Sequence, residues 1–324
     1  MIKKECFTAE WIEQVSSELH YNDKNLIEKV IRALSLLEML VKAGCPLVFK
    51  GGTALMLILG KSAHRLSIDI DLICPPGTNI EDYLKSFADF GFINLELVER
   101  KQRDDADIPK SHSKFFYQIA YRNDTDAQSY ILLDVLYEDI HYFRTQQIAI
   151  NCPFIRLEGK PLMVTVPSAE DILGDKLTAF APNTTGIPYY RNGRSCSMEI
   201  AKQLYDVGRL FENVSDLQIT KEAFRKIAVV ELSYRSFGTD IGQVFNDIRQ
   251  TALCISTRGK AGEGDFDLIQ DGIIRVKSFM YKQRYLIDHA IIDAARAAYL
   301  ATLIEKGINE IESYSNNPAD IKDM

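Results

Sequence analysis

Leu47-Val48-Phe49-Lys50-Gly51-Gly52-Thr53-Ala54-Leu55, followed one short helix later by Ser67-Ile68-Asp69-Ile70-Asp71-Leu72-Ile73, is the stretch on which the fold turns. Leu47 to Phe49 is a short apolar strand running into a glycine pair, and Thr53 can cap a helix that Gly60 ends. Ser67 to Ile73 is a second strand. Its period of two places Ser67, Asp69 and Asp71 on one face and Ile68, Ile70 and Leu72 on the other, toward a core. Adjacent like charges on one face repel unless a cation neutralises them. Oxygen donors at this spacing suit Mg²⁺, which keeps several waters and accepts substrate phosphates as further ligands.

A strand ending in Gly51-Gly52 ahead of a helix lets backbone N–H groups approach a phosphate, where the helix dipole also favours negative charge. Each half alone has an ordinary explanation, a solvated strand edge or a tight strand-to-helix connection. Their pairing over one short helix is the specific signal. Two-metal phosphoryl transfer calls for a third carboxylate. Asp134 is the best candidate, as the single charge inside the apolar run Tyr130-Ile131-Leu132-Leu133-Asp134-Val135-Leu136-Tyr137. An aspartate at a strand end bonded to a loop is the competing account. Arg65, two residues before Ser67, can reach a triphosphate bound there or can be a surface loop charge.

Outward from this centre, 324 residues suffice for two cores, and the ordinary apolar and charged fractions describe a globular protein. The first residues lack the apolar segment of a signal peptide, and no apolar run approaches the ~20 residues that span a bilayer, so a cytoplasmic location without membrane contact is expected. The six cysteines are dispersed without metal-ligand spacing. A net charge of −7 argues against non-specific coating of nucleic acid but leaves room for a local basic surface.

Thr8 to Ala43 reads as two helices. A helix is expected at about Ile80 to Phe90, with strands over Phe92–Glu99, Lys114–Tyr121 and Ser129–Tyr137 and a solvated loop over Arg100–Ser113. From Pro167 onward the periods are helical: Ala169–Phe180, Ser197–Glu212, Lys221–Tyr234, Gly242–Leu253, Asp265–Tyr281 and Ile287–Glu305. The expected architecture is therefore α+β, with an α+β domain at 1–166 and a helical domain at 167–324, ending in a frayed C-terminus.

In the helical half, Lys176 shares a face with Ile172, Leu173, Leu177 and Phe180, and an inward lysine wants an anion: a nucleotide phosphate, or an acid from the other domain. Asp206 falls off the face formed by Ile200, Leu204, Val207 and Phe211, so periodicity makes it a surface residue. Arg275, Lys277, Lys282 and Arg284 alternate with Phe279, Tyr281 and Tyr285. An amphipathic helix with a basic solvated side and an aromatic core side explains this pattern, and an RNA-binding surface is the other reading.

The strings Phe49 to Leu55 and Arg65 to Leu72 resemble the AbiEii/AbiGii toxin-like nucleotidyltransferases of abortive-infection toxin–antitoxin systems. Ser168 to Phe180 is similar to that family's lysine-bearing helix, and Lys202 to Leu210, with Tyr205-Asp206, to its later aspartate motif. The resemblance implies a polymerase-β-like nucleotidyltransferase domain with a helical companion, two Mg²⁺ ions, an NTP substrate and a separately encoded antitoxin. It also implies an acceptor hydroxyl, at a tRNA 3′ end in some members. Residue by residue it implies Asp69, Asp71 and, less closely, Asp134 as metal ligands, and Gly51, Gly52 and Thr53 as the phosphate turn. Ser67 and Arg65 fall in the triphosphate pocket, with Lys176 a nucleotide contact and Asp206 a catalytic acid. Where many relatives carry a basic residue two positions before the later strand acid, this chain has Leu132. Two other expectations stand beside RNA transfer: modification of a small molecule such as an aminoglycoside, and a non-catalytic NTP-binding module acting through a protein partner.

Overall fold

The computed structural model describes residues 1–97, 110–121, 127–214, 216–234 and 240–311. Two helices open the chain, α1 (Ala9–Leu19) and α2 (Lys24–Lys42). Each is started by a side-chain cap: Thr8 accepts from the Trp11 N–H and Asp23 from the Leu26 N–H. Then come β1 (Val48–Lys50), α3 (Gly51–Leu59), β2 (Ile70–Cys74), β3 (Asn94–Leu97), β4 (Lys110–Gln118) and β5 (Gln128–Tyr137). After these strands, β6 (Thr145–Ala149) and β7 (Met163–Pro167) form a hairpin, and α4 (Ala169–Ala179) follows directly.

A short pair, β8 (Tyr190–Arg191) and β9 (Arg194–Ser195), precedes α5 (Ser197–Phe211). The remainder is helical: α6 (Leu217–Ser233), α7 (Ile241–Ser256), α8 (Phe266–Val276) and α9 (Ile287–Lys306). No described helix is long and apolar enough to cross a membrane.

The central sheet has the order β1-β2-β5-β4-β3 and is mixed. Only β2 and β5 run parallel; the other neighbours are antiparallel. Along β5 and β4 the alternation is strict. Ile131, Leu133 and Val135, with Ser113, Phe115 and Tyr117, are buried, and the intervening residues are not. The buried face packs on α2, whose Ile27, Val30, Ile31 and Leu34 have no solvent exposure. At roughly 1.5–3 kcal/mol for each fully buried large aliphatic side chain, this contact fixes the register of the central strands. One apolar cluster runs from Ile2 to Val166 and includes Tyr281, and a second joins Leu55 to side chains from Ile172 to Ile304. They meet along α3.

Several expected elements differ. Ile80–Phe90 is not an α-helix but two single 3₁₀ turns, Ile80–Tyr83 and Phe87–Phe90. Asp82, which accepts from the Asn79 side chain, ties the first turn locally. Residues 110–113, expected in a loop, begin β4, while 98–109 lie outside the described residues, as do the final strand residues 98–99 and the C-terminus from 312. The β6–β7 hairpin was not expected. The helix expected over Asp265–Tyr281 ends at Val276, followed by a 3₁₀ turn at Lys277–Phe279, because the next residues leave to pair with the segment before β2.

Candidate active site

The three candidate carboxylates gather on the sheet face turned away from α2. Asp71 and Asp134 are direct register partners on parallel β2 and β5, and Asp69 stands immediately before β2. Burial, together with the charges of Asp69 and Asp134, pushes the Asp71 carboxyl up to about 7. Asp69 is raised too, first by burial, and is relieved by Lys202, Lys29 and Arg65. The Asp134 carboxylate is shared with His112 Nδ1, His112 being its register partner on β4.

The glycine turn is built against this row. Gly51 has φ +78°, in the left-handed region, and a Cβ added there would fall inside the Asp71 carboxylate. At Gly52 an added Cβ would lie 2.6 Å from Ser67 Oγ and 2.9 Å from Arg65 Nη2. The N-terminus of α3, which has no side-chain cap, thus opens between the aspartates and the Ser67–Arg65 pair. Gly51→Ala is expected to cost activity at least about a hundredfold and stability roughly 1–3 kcal/mol, since it adds backbone strain to a steric clash at Asp71. Turnover and thermal unfolding measured on the same preparation would check it.

Thr53 does not cap α3. The helix begins at Gly51, and the fully buried Thr53 donates its hydroxyl to the Asp69 carbonyl at 2.7 Å, pinning the carboxylate strand to the turn. Any contact it makes with a phosphate would come from its backbone.

Asp206 overturns the expectation from periodicity. It is 1% exposed and accepts from Arg65 Nε and Nη2 at 3.0 and 2.8 Å, while Lys176 Nζ stands 3.0 Å away. The reason is that α5 is covered almost all round: Ala201, Leu204, Tyr205, Val207 and Gly208 are buried as well, so one hydrophobic stripe does not describe it. Arg65 is likewise buried, not a surface loop charge, and its Nη1 also donates to the Leu66 carbonyl. The anion expected for Lys176 is an aspartate of the same helical half and not one from the other. Arg65 and Lys176 hold the Asp206 carboxyl below the usual carboxylate range in spite of its burial.

Residues without a role assigned from sequence also face the row. Lys50 is the register partner of Asp71, and its ammonium lies 3.7 Å from Asp175, which also accepts from the Tyr142 hydroxyl at 2.7 Å. Lys202 sits 3.9 Å above the Phe279 ring; burial and then Arg65 push it down to about 8, while Glu199, Asp69 and Asp206 pull it back up. The available signals were local: Lys50 adjoins the glycines, and Lys202 is one turn before Asp206. His112 carried no such signal.

The basic stretch that begins at the end of α8 does not offer its tyrosines to bases. Tyr281 and Tyr285 are each 2% exposed, within the two cores, and Arg275 lies 3.7 Å from Asp271. Nor is the stretch a single amphipathic helix.

Among the described residues, no three His, Cys, Asp or Glu side chains converge closely enough to enclose a metal ion. The donor set still fits a hard cation that takes one or two carboxylates and leaves its other positions to water and phosphate. Asp69 and Asp71 are half-buried acids whose carboxyls are both raised, first by burial, Asp71 also by the charges of Asp69 and Asp134, and an ion between them would remove that cost.

Comparison with solved structures finds the same fold in MenT4, a nucleotidyltransferase toxin from Mycobacterium tuberculosis H37Rv, with a TM-score of 0.50 and 12% identity over 90% of this chain and 89% of that one. JHP933 from Helicobacter pylori matches at 17% identity, TM-score 0.45, over 87% of this chain and 94% of that one. No curated protein matches the sequence. The family model described as nucleotidyl transferase AbiEii toxin, type IV TA system, matches residues 34–297, a span that holds the glycine turn, the aspartate row, Lys176 and Asp206. On that match the chain belongs to the AbiEii family of nucleotidyltransferase toxins of type IV toxin–antitoxin systems.

Proposed function

We propose that this toxin transfers a nucleoside monophosphate from an NTP to a hydroxyl at the 3′ end of an RNA, with tRNA as the acceptor class. The observation that carries the proposal is the meeting of the α3 N-terminus with the Asp69, Asp71 and Asp134 row, in which Gly51 leaves room for nothing but the Asp71 carboxylate. The triphosphate lies along the turn, held by the backbone at Gly51, Gly52 and Thr53, by the Ser67 hydroxyl and by the cations Arg65 and Lys176. Asp69, Asp71 and Asp134 would hold two Mg²⁺ ions, whose charge stabilises the transferring phosphoryl group. Asp134, steadied by His112, stands at the far end of the row, where it would orient the acceptor hydroxyl.

Asp206, enclosed by Arg65 and Lys176, acts through those two cations by fixing where they point, so it is better described as a positioning residue than as a proton acceptor. In this reading the chain divides at 166/167 into a nucleotidyltransferase domain and a helical domain that supplies Lys176 and Asp206. It works in the cytoplasm under restraint by a separately encoded antitoxin. Incubation with each labelled NTP, Mg²⁺ and total cellular RNA tests the proposal. Label is expected on tRNA. Label confined to an added aminoglycoside would establish a small-molecule enzyme instead, and nucleotide binding without transfer would leave a binding module.

A further inference from the structure

Beside the aspartate row the same sheet face continues toward the starts of β2 and β5. The register sets it out in rows. His112 and Asp134 are partners, then Lys114 and Leu132, then Phe116 and Tyr130. None of these six side chains is buried, in contrast to the residues that alternate with them. Tyr130 is 39% exposed and its ring lies 5.7 Å from that of Phe116, centroid to centroid. Two ammonium groups attend the tyrosine ring, Lys114 at 5.3 Å and Lys29, from α2, at 5.5 Å. Lys29 is also within the electrostatic reach of Asp69, which ties this patch to the carboxylates. Glu96, the register partner of Lys114 on β3, lies 3.7 Å from it.

In a chain of net charge −7 this face sets an exposed tyrosine against a partly buried phenylalanine and flanks the tyrosine ring with lysines. A surface for an apolar partner would not ring its aromatic with ammonium groups. Bases stack on aromatic faces whatever their identity, while lysines neutralise the phosphates between them. The flat face of a sheet carrying such aromatics is an established way of splaying out single-stranded RNA. Tyr130 and Asp134 are four residues apart on one strand face, about 13 Å at the rise of an extended strand. A strand stacked at Tyr130 therefore reaches Asp134 with its last few nucleotides.

We infer that the sheet face bearing Tyr130, Phe116 and Lys114, with Lys29 reaching the Tyr130 ring from α2, binds the single-stranded 3′ end of the acceptor RNA and delivers its terminal hydroxyl to the aspartate row. The inference rests on the proposed transfer to RNA and assigns the surface that the acceptor occupies. Lysines on the tyrosine ring hold only a weak contact at an exposed site, so a base can take their place while they turn to the phosphates.

The test is fluorescence anisotropy of the full chain with a short, labelled, single-stranded RNA of mixed sequence, in Mg²⁺ without NTP. Tyr130→Ala is expected to weaken binding by roughly tenfold or more, and Tyr130→Phe, which keeps the ring, to stay close to wild type. Lys114→Ala is expected to lower the slope of log affinity against log salt by about one. NTP titration and thermal unfolding of Tyr130→Ala should match wild type, since the residue lies outside the nucleotide turn and is partly exposed. Equal RNA affinity of Tyr130→Ala and wild type, or no RNA binding by wild type, would overturn the inference. The two proposals separate cleanly. RNA binding lost in Tyr130→Ala, but with no label transferred by wild type, leaves the binding face standing and sinks the transfer reading. Transfer to RNA with an unchanged acceptor KM in Tyr130→Ala does the reverse.

Discussion

Asp71→Asn is expected to lower nucleotide transfer by at least about a thousandfold while making the metal-free protein more resistant to heat. The loss follows from the centre of the row: Asp71 is paired in register with Asp134, is within the field of Asp69, and is packed against the Gly51 backbone. Removing its charge removes stabilisation at the point where phosphoryl charge develops. The gain follows from the same crowding. The carboxyl is pushed up to about 7 in the folded chain from an ordinary value near 3.8. Between those two values the folded state binds more protons than the unfolded one, so stability falls as pH rises from about 4 to about 7, and the ionised group is a cost at neutral pH.

Asparagine has no charge to desolvate, and its unfolding midpoint should be several degrees higher than that of metal-free wild type at pH 7.5 and nearly equal at pH 4. Mg²⁺ should raise the midpoint of wild type and have little effect on the variant. Calorimetry across that pH range, with and without Mg²⁺, reads all of this independently of turnover. Near-normal transfer by Asp71→Asn, or a variant less stable than wild type at neutral pH, would show that the crowded carboxylate is not what the aspartate contributes.

Asp206→Ala is expected to cost about 3–5 kcal/mol of stability, the range for breaking a buried ion pair by deleting one partner. Both Arg65 and Lys176 would lose their carboxylate, and both are themselves buried. The pH dependence has the opposite sign to that of Asp71. The Asp206 carboxyl is held below its ordinary value, so its contribution is present above about 4 and is lost as pH falls through the folded-state value below that. Asp206→Asn keeps the shape and some hydrogen bonding, so it should fold better than the alanine variant yet still lose the fixed aim of the two cations. A rise in KM for NTP larger than the fall in kcat is the signature of that positioning role. Denaturant unfolding gives the stability and steady-state kinetics the split. An alanine variant as stable as wild type would mean that Arg65 and Lys176 find other partners, and the enclosed triad would then have no part in holding the site.

These two aspartates also mark how far the sequence could be read. Asp71 was legible because everything that defines it is local. Strand alternation put it beside Asp69, the glycine pair stood one short helix upstream, and both signals act over a few residues. Asp134 was legible for a related reason, as a single charge within an apolar strand, though nothing in the sequence named His112 as its neighbour. Asp206 was misplaced by the same kind of reasoning. A helical period finds the widest apolar stripe, whereas α5 is packed on more than one side and the burial of its acid is compensated by an arginine 141 residues earlier. Lys176 was correctly turned inward, but its partner depended on the packing of α4 against α5.

The sequence by itself determined the α+β beginning, the helical remainder, the glycine turn, the aspartate strand and the inward lysine, because propensity, period and turn chemistry are properties of short segments. The tertiary structure alone decided which charges enclose one another, that Thr53 pins the strand to the turn, and that Tyr281 and Tyr285 are core residues. It alone paired Tyr130 with Phe116 on the sheet face that carries Asp134. Those outcomes come from strand order, register and helix packing, which bring together residues far apart in the chain, and no local pattern encodes which of two equally apolar or equally charged faces will be covered.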